Sequence, residues 1–97
     1  MAKFVYIYTG GGMPETEEEG ARIMKAWQDF LGGLGDKLVD QGAPFGASQA
    51  VKGNGPLKAS GYSVVTAGGL DEAVTMAKGC PIFDRGGNVE VYEAIDM

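Results

Sequence analysis

No histidine occurs anywhere in the 97 residues. That removes the side chain best suited to move protons near neutral pH, and with it the commonest metal ligand. There is one cysteine, Cys80. No internal disulfide can form, so a reducing cytoplasm is the expected setting. Without histidine or paired cysteines a zinc-type site is excluded, and only an all-oxygen cluster is left for a metal. No metal and no cofactor is expected. No apolar run reaches the length of a membrane span, and the N-terminus lacks the charged-then-apolar order of a signal sequence. Basic residues are also scarce, with 8 Lys and Arg against 13 Asp and Glu, for a net charge of −5. A nucleic-acid footprint needs a basic face, as does adhesion to an anionic membrane, so neither partner is expected.

What is present is patterned. Hydrophobic residues make up 44% of the chain and recur at regular spacings, which argues against disorder. A chain of this length makes one domain, residues 1–97, with one modest core.

The stretch Gly61–Ile95 reads as strand, helix, strand. Tyr62, Val64, Val65 and Thr66 suit a pleated surface over Gly61–Ala67. Gly68 and Gly69 then break the strand. Leu70, Ala73, Val74 and Ala77 recur at helical spacing over Leu70–Lys78. Asp71 and Glu72 in the first turn and Lys78 in the last follow the helix dipole. Gly79 and Pro81 stop the helix, and Asp84–Gly87 reads as a solvated loop. Over Asn88–Ile95, Val89, Val91 and Ile95 fall on one face of a strand, with Tyr92 and Ala94 on the other.

The first half repeats that order. Lys3–Thr9 is a strand whose Phe4-Val5-Tyr6-Ile7-Tyr8 run is apolar on both faces. Such a run needs cover on both sides. Two helices supply one side, so a second subunit is expected on the other, as a homodimer through the open sheet face. Gly10-Gly11-Gly12 lacks the Lys and Ser/Thr of a nucleotide loop, and Glu15, Glu17, Glu18 and Glu19 would repel phosphate, so a turn is the stronger reading. Thr16 and Glu19 have capping-box spacing. Ile23, Trp27, Phe30 or Leu31, and Leu34 form one helical stripe, and the helix weakens at Gly32, Gly33 and Gly35 and should end near Leu34. Lys37–Gly42 reads as a second strand, and Gln49–Lys52 as an extended excursion before the turn Gly53-Asn54-Gly55-Pro56. The order β-α-β-β-α-β predicts an α+β, ferredoxin-like fold: an antiparallel sheet with both helices on one face.

The residues that carry a family likeness are the opening Phe4–Tyr8, Gly61-Tyr62-Ser63-Val64, the run Leu70-Asp71-Glu72-Ala73 ending in Gly79-Cys80-Pro81, and Gly87-Asn88-Val89-Glu90-Val91. In this order, across nearly the whole chain, they resemble the YCII-related family, including the branch named for a D-G-P-F motif. The resemblance implies a dimeric α/β barrel, with two ferredoxin-like sheets packed face to face. Two departures stand out. The D-G-P-F signature is replaced by Asn54-Gly55-Pro56-Leu57, and the first-helix histidine that many members carry is replaced by Trp27. An indole is no general base, so activity inferred from that histidine does not carry over.

Acid–base work would then fall to carboxylates or tyrosines. Asp36 and Asp40 follow the first helix; burial would raise their pKa and make either a base, but a solvated turn is the commoner fate. Tyr6, Tyr8, Tyr62 and Tyr92 can donate hydrogen bonds, though strand tyrosines more often pack. Phe30 and Leu34 read as core, and Trp27 as a pocket rim. Cys80 has no partner to form a thiolate, so inert packing is the stronger reading. Arg85 reads as a loop residue. The candidate ligand-binding set is therefore Trp27, Tyr6, Tyr8, Asp40 and Tyr62, with no catalytic residue assigned. The favoured function is binding of a small apolar or aromatic molecule, or of a protein partner. The alternative is lyase, isomerase or dehalogenase-type chemistry on a small organic acid or lactone with a carboxylate base.

Overall fold

The computed structural model describes residues 2–53 and 58–96. The elements run β1 (Ala2–Thr9), α1 (Glu17–Gly33), β2 (Leu38–Pro44), β3 (Ala59–Ala67), α2 (Leu70–Ala77) and β4 (Asn88–Ala94). Short 3₁₀ turns, Gly35–Lys37 and Pro81–Arg85, lead into β2 and β4. The sheet order is β2-β3-β1-β4 with every neighbouring pair antiparallel. This is the expected α+β ferredoxin-like arrangement.

Alternation in β1 sends Phe4, Tyr6 and Tyr8 into the core. Val65 and Ala67 join them from β3, and Ala73 and Ala77 cover them from α2. Trp27 and Phe30 of α1 and its cap Leu34 pack on the same side but stay half-buried. The other face of β1 carries Val5 and Ile7, half-buried and without a covering layer among the described residues. The apolar run is thus covered from within on one side only, and the molecule is a plate of 41 × 38 × 19 Å.

The Thr16 cap forms, its hydroxyl accepting from the Glu19 N–H at 3.0 Å. Glu19 does not reach back to Thr16 as a full capping box would; its carboxylate turns to Arg85. The first helix ends at Gly33 with Leu34 as its cap, as the glycines predict. The second strand starts one residue later than expected, because Lys37 closes the 3₁₀ turn, and continues past Gly42 to Pro44. Ile95 does not extend the inward face of β4; it lies beyond the strand end and is exposed. The excursion after β2 has no regular structure over 46–50. The motif Asn54-Gly55-Pro56-Leu57 lies outside the described residues.

Candidate functional site

Two surfaces contain the residues singled out by the sequence, and the sheet separates them. On the helix side, Tyr8 and Trp27 stand edge to face, with ring centroids 4.8 Å apart. Trp27 meets Phe30 the same way at 6.1 Å, and Tyr6 lies 6.5 Å beyond Tyr8. These aromatics fill the space between α1 and the sheet. None of the 17 residues of α1 is fully buried, so the helix rests on ring edges rather than in a close-packed layer.

The phenols beneath α1 are hydrogen-bonded within the chain. Tyr6 donates to the Ala73 carbonyl at 2.6 Å. Tyr8 donates to Ser63 Oγ at 2.8 Å, and Ser63 donates to the Gln41 carbonyl at 2.7 Å. Burial pushes both phenols up to about 12. At neutral pH they are therefore hydrogen-bond donors, with no capacity as bases. Burial likewise raises the Cys80 thiol to about 11, so it stays protonated.

Asp40 and Tyr62 lie on the opposite, open face. The Tyr62 hydroxyl donates to Asp40 Oδ2 at 3.1 Å, and Asp40 Oδ1 accepts from the Gly42 N–H at 2.8 Å. The carboxylate raises the Tyr62 pKa by favouring the protonated phenol. Phe45 stacks on Tyr62 at 5.8 Å. By register, Val64, Val5 and Tyr92 share one row of this face, and Tyr62, Ile7 and Glu90 the next. Tyr92 is bonded to Glu90 and its pKa is raised by that partner. Asp36 and Asp40 are both exposed.

Two contributors carry little or no sequence signal. Ser63 is buried among apolar neighbours, and only strand alternation from Val65 points to it. Arg85 is no solvated loop residue. Its guanidinium bonds the Gly11 carbonyl at 2.6 Å, the Met13 carbonyl at 3.0 Å and the Glu19 carboxylate. Those partners lie 66 to 74 residues away in the chain, beyond any local pattern.

A separate open groove of about 310 Å³ runs between α2 and β4, lined by Leu70, Val74, Phe83, Val89 and Val91 among others. Among the described residues no cluster of three or more Cys, Asp or Glu has the geometry to hold a metal ion. Among the described residues no helix is long and apolar enough to cross a membrane.

No protein-family model matches the chain, and no curated protein matches it. Among solved structures the chain is similar to the 5-chloro-2-hydroxyhydroquinone dehydrochlorinase of Burkholderia phenoliruptrix AC1100, determined in complex with 2,5-dihydroxybenzoquinone. The superposition covers 96% of this chain and 93% of that one, with a TM-score of 0.63 and 16% identity. At that identity the likeness shows a shared fold, spanning almost the full length of both chains.

Proposed function

We propose that the protein is a homodimer of the YCII-related type that binds a small planar, largely apolar molecule beneath α1. The observation that carries the reading is the seat of that helix. Trp27 and Tyr8 offer ring faces and edges beneath a helix with no fully buried residue. A planar guest gains stacking and burial there by displacing one ring edge. The hydroxyls of Tyr8 and Ser63 supply polar contacts for orientation. Tyr6 forms the floor of the site.

The homodimer rests on the uncovered face. Val5, Ile7, Val64, Tyr62 and Tyr92 share it, and the chain exposes 6996 Å². A compact monomer of this mass exposes about 5,300 Å². The excess suffices for a standard interface, which takes about 800 Å² from each partner. Two open faces packed together make the α/β barrel.

A second reading is an enzyme. It is favoured by the Tyr62–Asp40 pair, a donor bonded to a carboxylate on a face that the dimer would partly desolvate. The dehydrochlorinase activity of the structural neighbour is consistent with it.

Native mass spectrometry of gently purified protein tests the binding reading, followed by ligand-observed NMR with 2,5-dihydroxybenzoquinone as the probe. The expected result is a dimer that retains or takes up a planar molecule, with binding lost in Trp27→Leu while the dimer persists. A clean monomer at micromolar concentration that binds no planar probe overturns the reading.

A further inference from the structure

We infer that α1 is a hinged lid that carries Trp27 over Tyr8 and is held shut by Arg85. The inference rests on the binding reading above, and it states how a guest enters between α1 and the sheet, where aromatic rings now meet edge to face. Three independent features of the chain converge on it.

The first is the way α1 is held. It contributes no fully buried residue, and it meets the core through a wedge of half-buried Trp27 and Phe30, with Leu34 just past its end. Segments with few buried apolar contacts are the ones that open below the global unfolding free energy.

The second is glycine at both ends. Gly10, Gly11 and Gly12 leave β1 with φ of 74°, 92° and 62°. Gly32, Gly33 and Gly35 close the other end. A Cβ at any of these last three would meet nothing within 4 Å, so close packing does not account for them. Glycine within a helix end costs stability relative to alanine, and it leaves the backbone free to rotate.

The third is the latch. Arg85 sits on the 3₁₀ turn between α2 and β4, outside the segment that would move. Its guanidinium takes the Gly11 and Met13 carbonyls in the hinge itself and the Glu19 carboxylate in the first turn of α1. One planar, multi-donor group therefore fixes both the hinge and the lid. Releasing it leaves α1 attached by two flexible connections and a wedge of ring edges. The guest takes the place of one ring edge of that wedge when it enters and stacks on the Trp27 ring.

Hydrogen exchange on the full chain without ligand tests this, read alongside acrylamide quenching of Trp27, the single tryptophan. In Arg85→Ala, exchange over residues 17–33 should rise at least roughly tenfold, because three charge-assisted hydrogen bonds are lost and one alone is worth about that factor. Exchange over β1 and β3 should stay as in the parent, and Trp27 should become more quenchable. Arg85→Lys, which keeps the charge and loses the fork, should fall between the two. Gly33→Ala, whose added methyl meets nothing, should slow α1 exchange. If α1 exchange is unchanged in both Arg85 variants, or rises together with β1 and β3, the lid is overturned. Because no ligand enters the experiment, a lid that opens in protein that binds no planar probe removes the binding reading alone.

Discussion

The Tyr8 hydroxyl donates to Ser63 Oγ, and Ser63 donates onward to the Gln41 carbonyl, so one hydroxyl pair ties β1 to β3 and β3 to β2. The relay has a direction, which makes its two members unequal. Tyr8→Phe removes a donor and leaves Ser63 still bonded to Gln41. Ser63→Ala strands the buried Tyr8 hydroxyl and frees the Gln41 carbonyl together. The expected costs are about 1 kcal/mol for Tyr8→Phe and about 2–3 kcal/mol for Ser63→Ala. Urea denaturation of both variants and the double variant measures the order. Equal costs would mean that the hydroxyl pair is not the tie.

Gly42 lies in the second of two register shifts that make β2 irregular. Its φ is +74°, and a Cβ there would sit 1.7 Å from the Tyr62 carbonyl oxygen. Gly42→Ala should therefore cost at least about 3 kcal/mol, because both the torsion and the strand contact must yield. Gly35→Ala is the control, since it has φ +58° and no atom within 4 Å of a Cβ. Its expected cost is only the left-handed torsion, about 1–2 kcal/mol. Thermal melts of the pair separate close approach from torsion alone.

This irregularity also explains what was legible in the sequence and what was not. The strands of Phe4–Tyr8 and Gly61–Ala67, the end of α1 at its glycines and the span of α2 follow from alternation, capping and helical spacing. Those signals are local. Asp40 and Tyr62 were grouped with Tyr8 and Trp27 as one candidate site, and the face of Asp40 depends on a register shift. Leu38 lies opposite Val65 and Asp40 opposite Val64, so two steps on β2 match one on β3. The extra residue turns Asp40 to the open face while Leu38 packs inward. Nothing in Leu38-Val39-Asp40 announces a bulge. Arg85 was illegible for a different reason: its meaning lies wholly in partners supplied by the other end of the chain.

The open face carries its own prediction. Val64 is half-exposed in the single chain, so an aspartate there is solvated and tolerated. Within a face-to-face dimer the same aspartate is buried without a cation. Val64→Asp should keep its secondary structure while dimer affinity falls by about a hundredfold or more. Sedimentation equilibrium of parent and variant reads this directly. A parent dimer unaffected by Val64→Asp would place the interface elsewhere.

Acid should loosen the first helix before the sheet. A side-chain hydrogen bond from Arg85 lowers the Glu19 pKa, with smaller help from the Glu15 backbone and the Arg85 and Arg22 charges. A carboxylate with a lowered folded pKa stabilises the fold above its unfolded value, and this contribution fades as pH falls through the folded one. Below the ordinary carboxylate range, α1 exchange corrected for intrinsic rate should rise ahead of β1 and β3. In Glu19→Gln that acid dependence should be absent.

At the alkaline end the four tyrosines act together. Burial pushes Tyr6 and Tyr8 up to about 12, and Asp40 and Glu90 raise Tyr62 and Tyr92. A raised folded pKa means that each phenol stabilises the protein fully below its unfolded value of 10.0 and loses this contribution as pH rises through its folded value, which for Tyr6 and Tyr8 is about 12. Stability measured by urea should therefore hold to about pH 10 and then fall steeply. Tyrosinate absorbance at 295 nm should develop above the range of free tyrosine. Tyr62→Phe should remove the share due to Asp40 while Tyr6 and Tyr8 stay late. Cys80, buried and raised to about 11, should be unreactive toward a disulfide reagent at pH 8 in folded protein and reactive once unfolded. If phenolate absorbance rose near pH 10 with the protein still folded, the core phenols would not be desolvated, and the seat beneath α1 would be open to water.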